Sequence, residues 1–144
     1  MSCLGFLSPQ QRALLRASTA DGAPLSSFAS PVVTEGKRHR LRQMAADDDP
    51  KIRESAALAH GTPAEVLDDL SSDADPGVRC SVARNERTPR QVLATLATDA
   101  VAGVRAWVAA NPSVPRDVLT ALLADADPTV REVATWAGRW PDVR

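Results

Sequence analysis

The 144-residue chain has few aromatic side chains: it has no tyrosine, three tryptophans and two phenylalanines. β-Strands favour aromatic and β-branched residues, so a chain this poor in aromatics is a weak candidate for a β-sandwich. Its apolar content is supplied largely by alanine, valine and leucine. This composition favours helices that pack closely through small side chains.

Cysteine and histidine are also scarce. The two cysteines, Cys3 and Cys80, are too few for a disulfide framework or a four-thiolate metal site within one chain. Cys80 and His60 could form a nucleophile–base pair across repeats, but no third orienting group or oxyanion motif accompanies them. The acidic residues lack the spacing of a calcium loop. We therefore expect no enzymatic activity, no cofactor and no metal.

The charge is nearly balanced, with a formal net charge of −1. This value favours neither a nucleic-acid-binding protein nor an acidic tail. The first residues contain no charged segment followed by an apolar run, as a signal peptide would. No stretch approaches the roughly 20 apolar residues of a membrane span. We expect a cytoplasmic protein that does not associate with membranes.

An arginine recurs at a constant 26-residue interval through the last two-thirds of the chain. Each follows a β-branched residue and lies six residues after an aspartate. The arginines are Arg53, Arg79, Arg105 and Arg131, and the aspartates are Asp47, Asp73, Asp99 and Asp125. Such a period indicates a tandem repeat, and repeats of this size stack because one unit cannot bury its own apolar face.

Each unit predicts two short helices. The first helix is expected to begin at an Asp-Pro pair, because aspartate caps free amides and proline suits the first helical position. Asn85 and Asn111 are expected to end the first helix in a left-handed conformation. Thr62 and Thr88, each before a proline, are expected to cap the second helix. A 26-residue unit leaves little room for two helices, so one should be short and partly 3₁₀.

The predicted core consists of apolar residues at i,i+4 spacing in the first helices and of Val-Leu-x-x-Leu triplets in the second. The first set is Ile52, Ala56, Val78, Val82, Val104, Val108, Val130 and Ala134. The second set is Val66, Leu67, Leu70, Val92, Leu93, Leu96, Val118, Leu119 and Leu122.

We divide the chain into an N-terminal cap region, 1–46, and tandem repeats over 47–144. The cap region is expected to be partly irregular, and Leu41 and Met44 fall in the columns of Leu67 and Leu70. Residues 38–46 are therefore predicted to be the second helix of a degenerate half-repeat. At the other end, Trp136 and Trp140 are predicted to cover the last unit.

The repeat pattern D-x-D-P-x-V-R-x-x-V-A-x-N…T-P-x-x-V-L-x-x-L-A resembles the leucine-rich repeat variant family, most fully over residues 73–89. The Asp…Val-Arg segment alone is more loosely similar to HEAT-type repeats. The resemblance implies an all-α, right-handed solenoid of alternating α and 3₁₀ helices, here with about four repeats. Some family members carry an N-terminal cysteine cluster for an iron–sulfur centre. Only Cys3 precedes the repeats here, so no such centre is expected.

The arginine column has two interpretations. It could receive phosphates or carboxylates of a ligand, or each arginine could pair with an aspartate in its own or a neighbouring layer. The structural ladder is the better prediction, because an aspartate column runs beside the arginines. Asp49, Asp75 and Asp127 also lie four residues before an arginine, within helical reach.

The predicted contact residues lie outside the ladder. They are Trp107, Arg84, Arg87, Arg90 and Arg116. An extended solenoid surface with an exposed tryptophan favours a non-catalytic scaffold that binds another protein. An arginine-rich edge would alternatively suit a nucleic-acid-binding helical-repeat module. The third interpretation is an accessory subunit of an enzyme complex.

Overall fold

The computed structural model describes residues 33–139, which form eight α-helices and no strand. The helices are α1 (Glu35–Ala45), α2 (Pro50–Leu58), α3 (Ala64–Leu70), α4 (Pro76–Arg84), α5 (Arg90–Leu96), α6 (Ala102–Ala110), α7 (Arg116–Leu122) and α8 (Pro128–Ala137). The predicted all-α fold is confirmed. The first part of the predicted cap region, 1–32, and Trp140 in the predicted lid lie outside the described residues.

The first helix of a unit begins where the sequence predicts. Asp49, Asp75 and Asp127 lie just before α2, α4 and α8, and their carboxylates accept backbone amides of the first turn at 2.7–2.8 Å. Proline follows each of them at the first helical position. The third unit has Val101 at this point, so α6 begins without a side-chain cap.

The second helices α3, α5 and α7 are seven residues long and each begins directly after a proline. They are short, as expected, but they are α-helices. The 3₁₀ character is limited to i→i−3 bonds at their ends, such as the bond from the Ser72 amide to the Asp69 carbonyl at 3.3 Å. A tight final turn shortens the connection to the next unit.

The helices stack as layers. Each first helix contacts the first helix of the next unit, in the order α2, α4, α6, α8. Each second helix lies between two first helices and contacts both, as α5 does with α4 and α6. Helix α1 packs against α2 and also touches α3. Neighbouring layers therefore share one continuous core.

Most predicted core positions are buried. The largest fully buried side chains are Leu67, Leu93, Leu96, Val78, Val82, Val104, Val108 and Val130. Ile52 in the first unit, and Val118 and Leu119 in the third, are only half-buried. These three lie at the two ends of the stack, where one neighbouring layer is missing from the described residues.

Two buried asparagines connect the layers. Asn85 and Asn111 end α4 and α6 in an extended conformation, with φ of −71° in both, so the predicted left-handed ends are wrong. Their side-chain Nδ2 atoms donate to carbonyls of the preceding layer: Asn85 to Ala57 and Asn111 to Ala83, each at 2.6 Å. These bonds satisfy carbonyls that the end of the earlier helix leaves free.

The threonines that precede the prolines form hydrogen bonds within their own unit. The hydroxyls of Thr62 and Thr88 donate to the carbonyls of Ala56 and Val82 at 2.6 Å. Neither α3 nor α5 has a side-chain cap, so the prediction that these threonines cap the second helix is wrong. The hydroxyl instead joins the turn to the end of the first helix, as a second donor to a carbonyl that also accepts the amide of Ala59 or Asn85.

Asn111→Ala should lower the free energy of unfolding by about 1–3 kcal/mol, because it leaves the buried carbonyl of Ala83 without its donor. Ser113→Ala is the control, since the Ser113 hydroxyl donates to an exposed carbonyl of Glu86. Its effect should be within about 0.5 kcal/mol. Urea unfolding followed by circular dichroism measures both, and equal losses would contradict the structural role of the asparagine.

Candidate functional site

The ladder arginines bind aspartates of the next layer. Nε and Nη2 of Arg53 donate to the two carboxylate oxygens of Asp73, at 2.7 and 3.0 Å. Arg79 binds Asp99 in the same way at 2.7 and 3.2 Å, and Arg105 binds Asp125 at 2.8 Å for both bonds. A planar guanidinium matches a carboxylate through two parallel bonds, which fixes orientation as well as distance.

Each of these arginines also contacts the ladder aspartate of its own unit, through the backbone carbonyl of that aspartate. Nη1 of Arg53 donates to the carbonyl of Asp47 at 2.9 Å, and Nη1 of Arg79 donates to the carbonyl of Asp73 at 2.7 Å. The carboxylate of Asp73 also accepts the Asp75 amide at 2.8 Å. An inner ladder aspartate such as Asp73 thus holds one arginine by its carbonyl and another by its carboxylate, and so joins two layers.

These contacts stabilise the charged form of the aspartates. The Arg105 guanidinium is the main cause that lowers the pKa of Asp125 from its usual 3.8 to about 2. The Arg53 guanidinium likewise lowers the pKa of Asp73. Burial alone would raise the pKa of Asp99, but bonds from Arg79 and the Val101 amide hold it below its usual value. The side chains of all three pairs are at most 18% exposed.

The last ladder arginine differs from the other three. Nη1 of Arg131 donates to the carbonyls of Asp125 and Ala126, at 2.7 and 2.8 Å, so its guanidinium is held as in the inner units. Among residues 33–139 no carboxylate pairs with its Nε and Nη2 edge. Asp47 is the reverse case, because no guanidinium within the same range contacts its carboxylate.

The predicted contact residues do not form one cluster. The Arg84 guanidinium lies 4.6 Å from the ring centre of Trp107, in the next layer. Arg87 instead faces the preceding layer, where it lines a cavity with Arg38 and Gly61. Arg90 and Arg116 are the first residues of α5 and α7 and are exposed.

Sequence reasoning found the ladder columns but missed the interlayer role of Asn85 and Asn111. Their recurrence at the 26-residue period was the available signal. Of the two predicted lid tryptophans, Trp136 is described, and 54% of its surface is exposed.

The described residues offer little for catalysis or metal binding. Burial raises the pKa of the Cys80 thiol, which disfavours the reactive thiolate. Over residues 33–139, no three histidine, cysteine or acidic side chains come together as metal ligands. In the same range, no helix combines the length and apolar character needed to span a membrane.

The geometry defines the class of protein: an all-helical array of 26-residue units held by repeated contacts between layers. Comparison with family models gives the family of two consecutive units. Residues 76–101 and 102–127 both match the leucine rich repeat variant model. This match confirms the resemblance for those units. No curated protein and no solved structure matches the chain.

Arg79→Ala should lower the free energy of unfolding by about 3 kcal/mol, because it leaves the largely buried Asp99 carboxylate without its guanidinium. Arg90→Ala, which removes an exposed arginine, should change it by less than about 0.5 kcal/mol. Chemical denaturation of both variants at neutral pH provides the comparison. Small and equal losses would rule out a structural ladder.

The ladder also predicts a loss of stability in acid. A carboxylate whose pKa is lowered by folding contributes stability that is complete above its unfolded pKa of 3.8 and is lost as the pH falls through its folded pKa, about 2 for Asp125. Arg105→Gln should bring the pKa of Asp125 back toward 3.8. The variant should therefore be less stable at pH 6, with a shallower further loss between pH 4 and pH 2. Unfolding curves across this range test the slope.

Proposed function

We propose that the protein is a non-catalytic scaffold that binds another protein, and that Trp107 and Arg84 form the centre of the contact. The observation that supports this most is the exposed Trp107 ring, which lies under the Arg84 guanidinium. Trp107 has 43% of its surface exposed, and it is the one of the two described tryptophans that lies against an arginine.

The surroundings of Trp107 favour a contact surface. Gly103 lies one helical turn before it on α6, and a Cβ atom there would find only Val101 nearby, at 4.0 Å. Atoms of a partner could therefore approach the α6 backbone at Gly103. The cation–π contact with Arg84 restricts the ring before any partner arrives. Rigid tryptophan and arginine side chains often supply a large part of the energy of protein interfaces.

The layered core explains how such a surface can be held. Trp107 lies on the same helix as Val104 and Val108, both fully buried. The core and the ladder thus fix the backbone without using the exposed ring. In a solenoid the outer residues can vary without disturbing the stacking.

The nucleic-acid alternative rests on Arg87, Arg90 and Arg116, all of them exposed. Acidic side chains lie next to these positions: Glu86 precedes Arg87, and Asp117 follows Arg116. Interleaved negative charge weakens a phosphate-binding edge. The third interpretation, an accessory subunit, is one form of the protein-binding role.

Trp107→Ala should reduce retention of a protein partner from an extract of the source cells by about tenfold or more, as at an interface centre. Leu58→Ala is the matched control, since Leu58 is an apolar first-helix residue with 44% exposure and lies two layers away. Mass spectrometry identifies the retained protein, and titration calorimetry then gives Kd for each variant. Equal retention by both variants would contradict this surface.

A nucleic-acid role would give a different result. Anisotropy titrations with labelled mixed-sequence DNA and RNA at about 50 and 200 mM salt should show no binding by the wild type. Affinity that falls steeply with salt, and that falls further in Arg90→Gln or Arg87→Gln, would support phosphate contacts instead.

A further inference from the structure

The Arg84 guanidinium lies over the Trp107 ring, and this contact leaves its hydrogen-bond donors unused. No carboxylate or carbonyl among residues 33–139 forms a hydrogen bond or an ion pair with it. A guanidinium carries five N–H donors in one plane, whereas a cation–π contact uses its charge and none of these donors. Arg84 is therefore held beside an exposed ring with its donors open to a ligand.

The ladder shows which group such donors bind in this protein. Arg53, Arg79 and Arg105 each hold a carboxylate through two bonds of 2.7–3.2 Å. Their side chains are largely buried in that role, whereas Arg84 presents the same donors at the surface. A carboxylate is the group that matches a guanidinium through two parallel bonds.

The helices that carry Arg84 and Trp107 have no acidic residue of their own. Helices α2 and α8 each contain a glutamate, and α4 and α6 contain small neutral residues at the same position of the repeat. The residues at that position are Glu54, Cys80, Ala106 and Glu132. In α2, Glu54 binds Lys51 at 2.8 Å. Glu86, in the turn after α4, forms no ion pair with Arg84. The Arg84 charge is thus available to an acidic group of a partner.

The number of free charges favours a carboxylate over a phosphate backbone. Helices α4 and α6 contain three charged residues, Arg79, Arg84 and Arg105. Arg79 and Arg105 are paired with ladder aspartates. Binding to a nucleic acid relies on several cations that contact successive phosphates. A single free guanidinium beside an apolar ring suits one carboxylate with an apolar neighbour.

The apolar part of this surface extends from Trp107 toward the start of α6. Val101 directly precedes α6 and is 38% exposed. Its Cγ1 atom would lie 4.0 Å from a Cβ atom at Gly103, which lies between Val101 and Trp107 on the chain. At 1.5 Å per residue, this stretch covers about 9 Å, the length of about three residues of an extended chain.

We infer that the Arg84–Trp107 surface binds an acidic–apolar segment of the protein partner. An aspartate or glutamate carboxylate of the segment accepts two N–H bonds from Arg84. An apolar side chain within about three residues of that carboxylate packs on the exposed part of the Trp107 ring and toward Val101. The inference rests on the proposed scaffold function and adds the chemistry of the partner to it.

Synthetic peptides test this chemistry directly. The full chain is applied to an array of short peptides in which an aspartate stands within about three residues of a leucine or phenylalanine. Each peptide has an asparagine twin and a lysine twin. Fluorescence anisotropy of the best aspartate peptide should give a Kd about tenfold or more below that of its asparagine twin. In Arg84→Gln this preference for aspartate should disappear.

Reversal of the charge gives a sharper test. Arg84→Glu should lose the aspartate peptide and should bind the lysine twin more tightly than the wild type does. A purely structural role for Arg84 would not produce this exchange of preference. Arg40→Glu is the matched control, because it makes the same change at an exposed arginine of α1. It should leave both Kd values unchanged, and thermal melts confirm that each variant remains folded.

Two outcomes would overturn the inference. One is an array on which aspartate peptides are retained no better than their asparagine twins, which includes an array that retains nothing. The other is a preference for aspartate that persists in Arg84→Gln. A partner whose retention from the extract depends on Trp107 would still support the scaffold in either case, so the failure of one proposal is distinguishable from the failure of the other.

Discussion

The bidentate bond between an arginine of one layer and an aspartate of the next is the contact on which this structure depends. Helices of seven to ten residues are marginal in water, so their stability must come from neighbouring layers. Burial of valine and leucine supplies most of that stabilisation, but apolar contact does not by itself fix how far one layer slides over another. The paired bonds of a guanidinium do, because they set both distance and direction.

A second set of polar contacts stabilises the same stack. The buried amides of Asn85 and Asn111 reach carbonyls of the layer before, and the threonine hydroxyls bond within a unit. Within the described residues, no buried side-chain nitrogen or oxygen lacks a hydrogen bond. Polar groups in a core specify one arrangement only when all are satisfied, so these bonds favour a single register between layers.

Much of this fold follows from the sequence. The 26-residue period, the Asp-Pro helix starts and most core positions are local patterns with a direct physical meaning. The partner of each arginine is harder to infer. An inner aspartate lies six residues before one arginine and 20 residues after another. Because the repeat is regular, the sequence alone does not show which of these two arginines its carboxylate binds. Only the stacking decides between the carbonyl contact within the unit and the carboxylate contact between units.

The error about the asparagines has a clear physical cause. Asparagine at a helix end usually acts on neighbouring residues, and the prediction assumed this. Here Asn85 bonds a residue 28 positions earlier, because stacking brings the free carbonyls of the preceding helix within reach. A short side chain can serve a distant layer when the repeat holds both at a constant separation. The Trp107 surface could be proposed from the sequence, but its contact with Arg84 depends on how successive layers face each other.

The double role of each inner ladder aspartate limits how the gene for such a chain can change in length. Six positions separate an aspartate from the arginine on its carbonyl, and 20 positions separate an arginine from the aspartate it binds next. Together these intervals cover the whole unit, including its turns. Surface turns in most proteins tolerate insertions. Here a codon gained or lost in either interval would move an arginine out of register with an aspartate that it contacts. Duplication or deletion of one complete repeat is the change that keeps every arginine–aspartate contact in register.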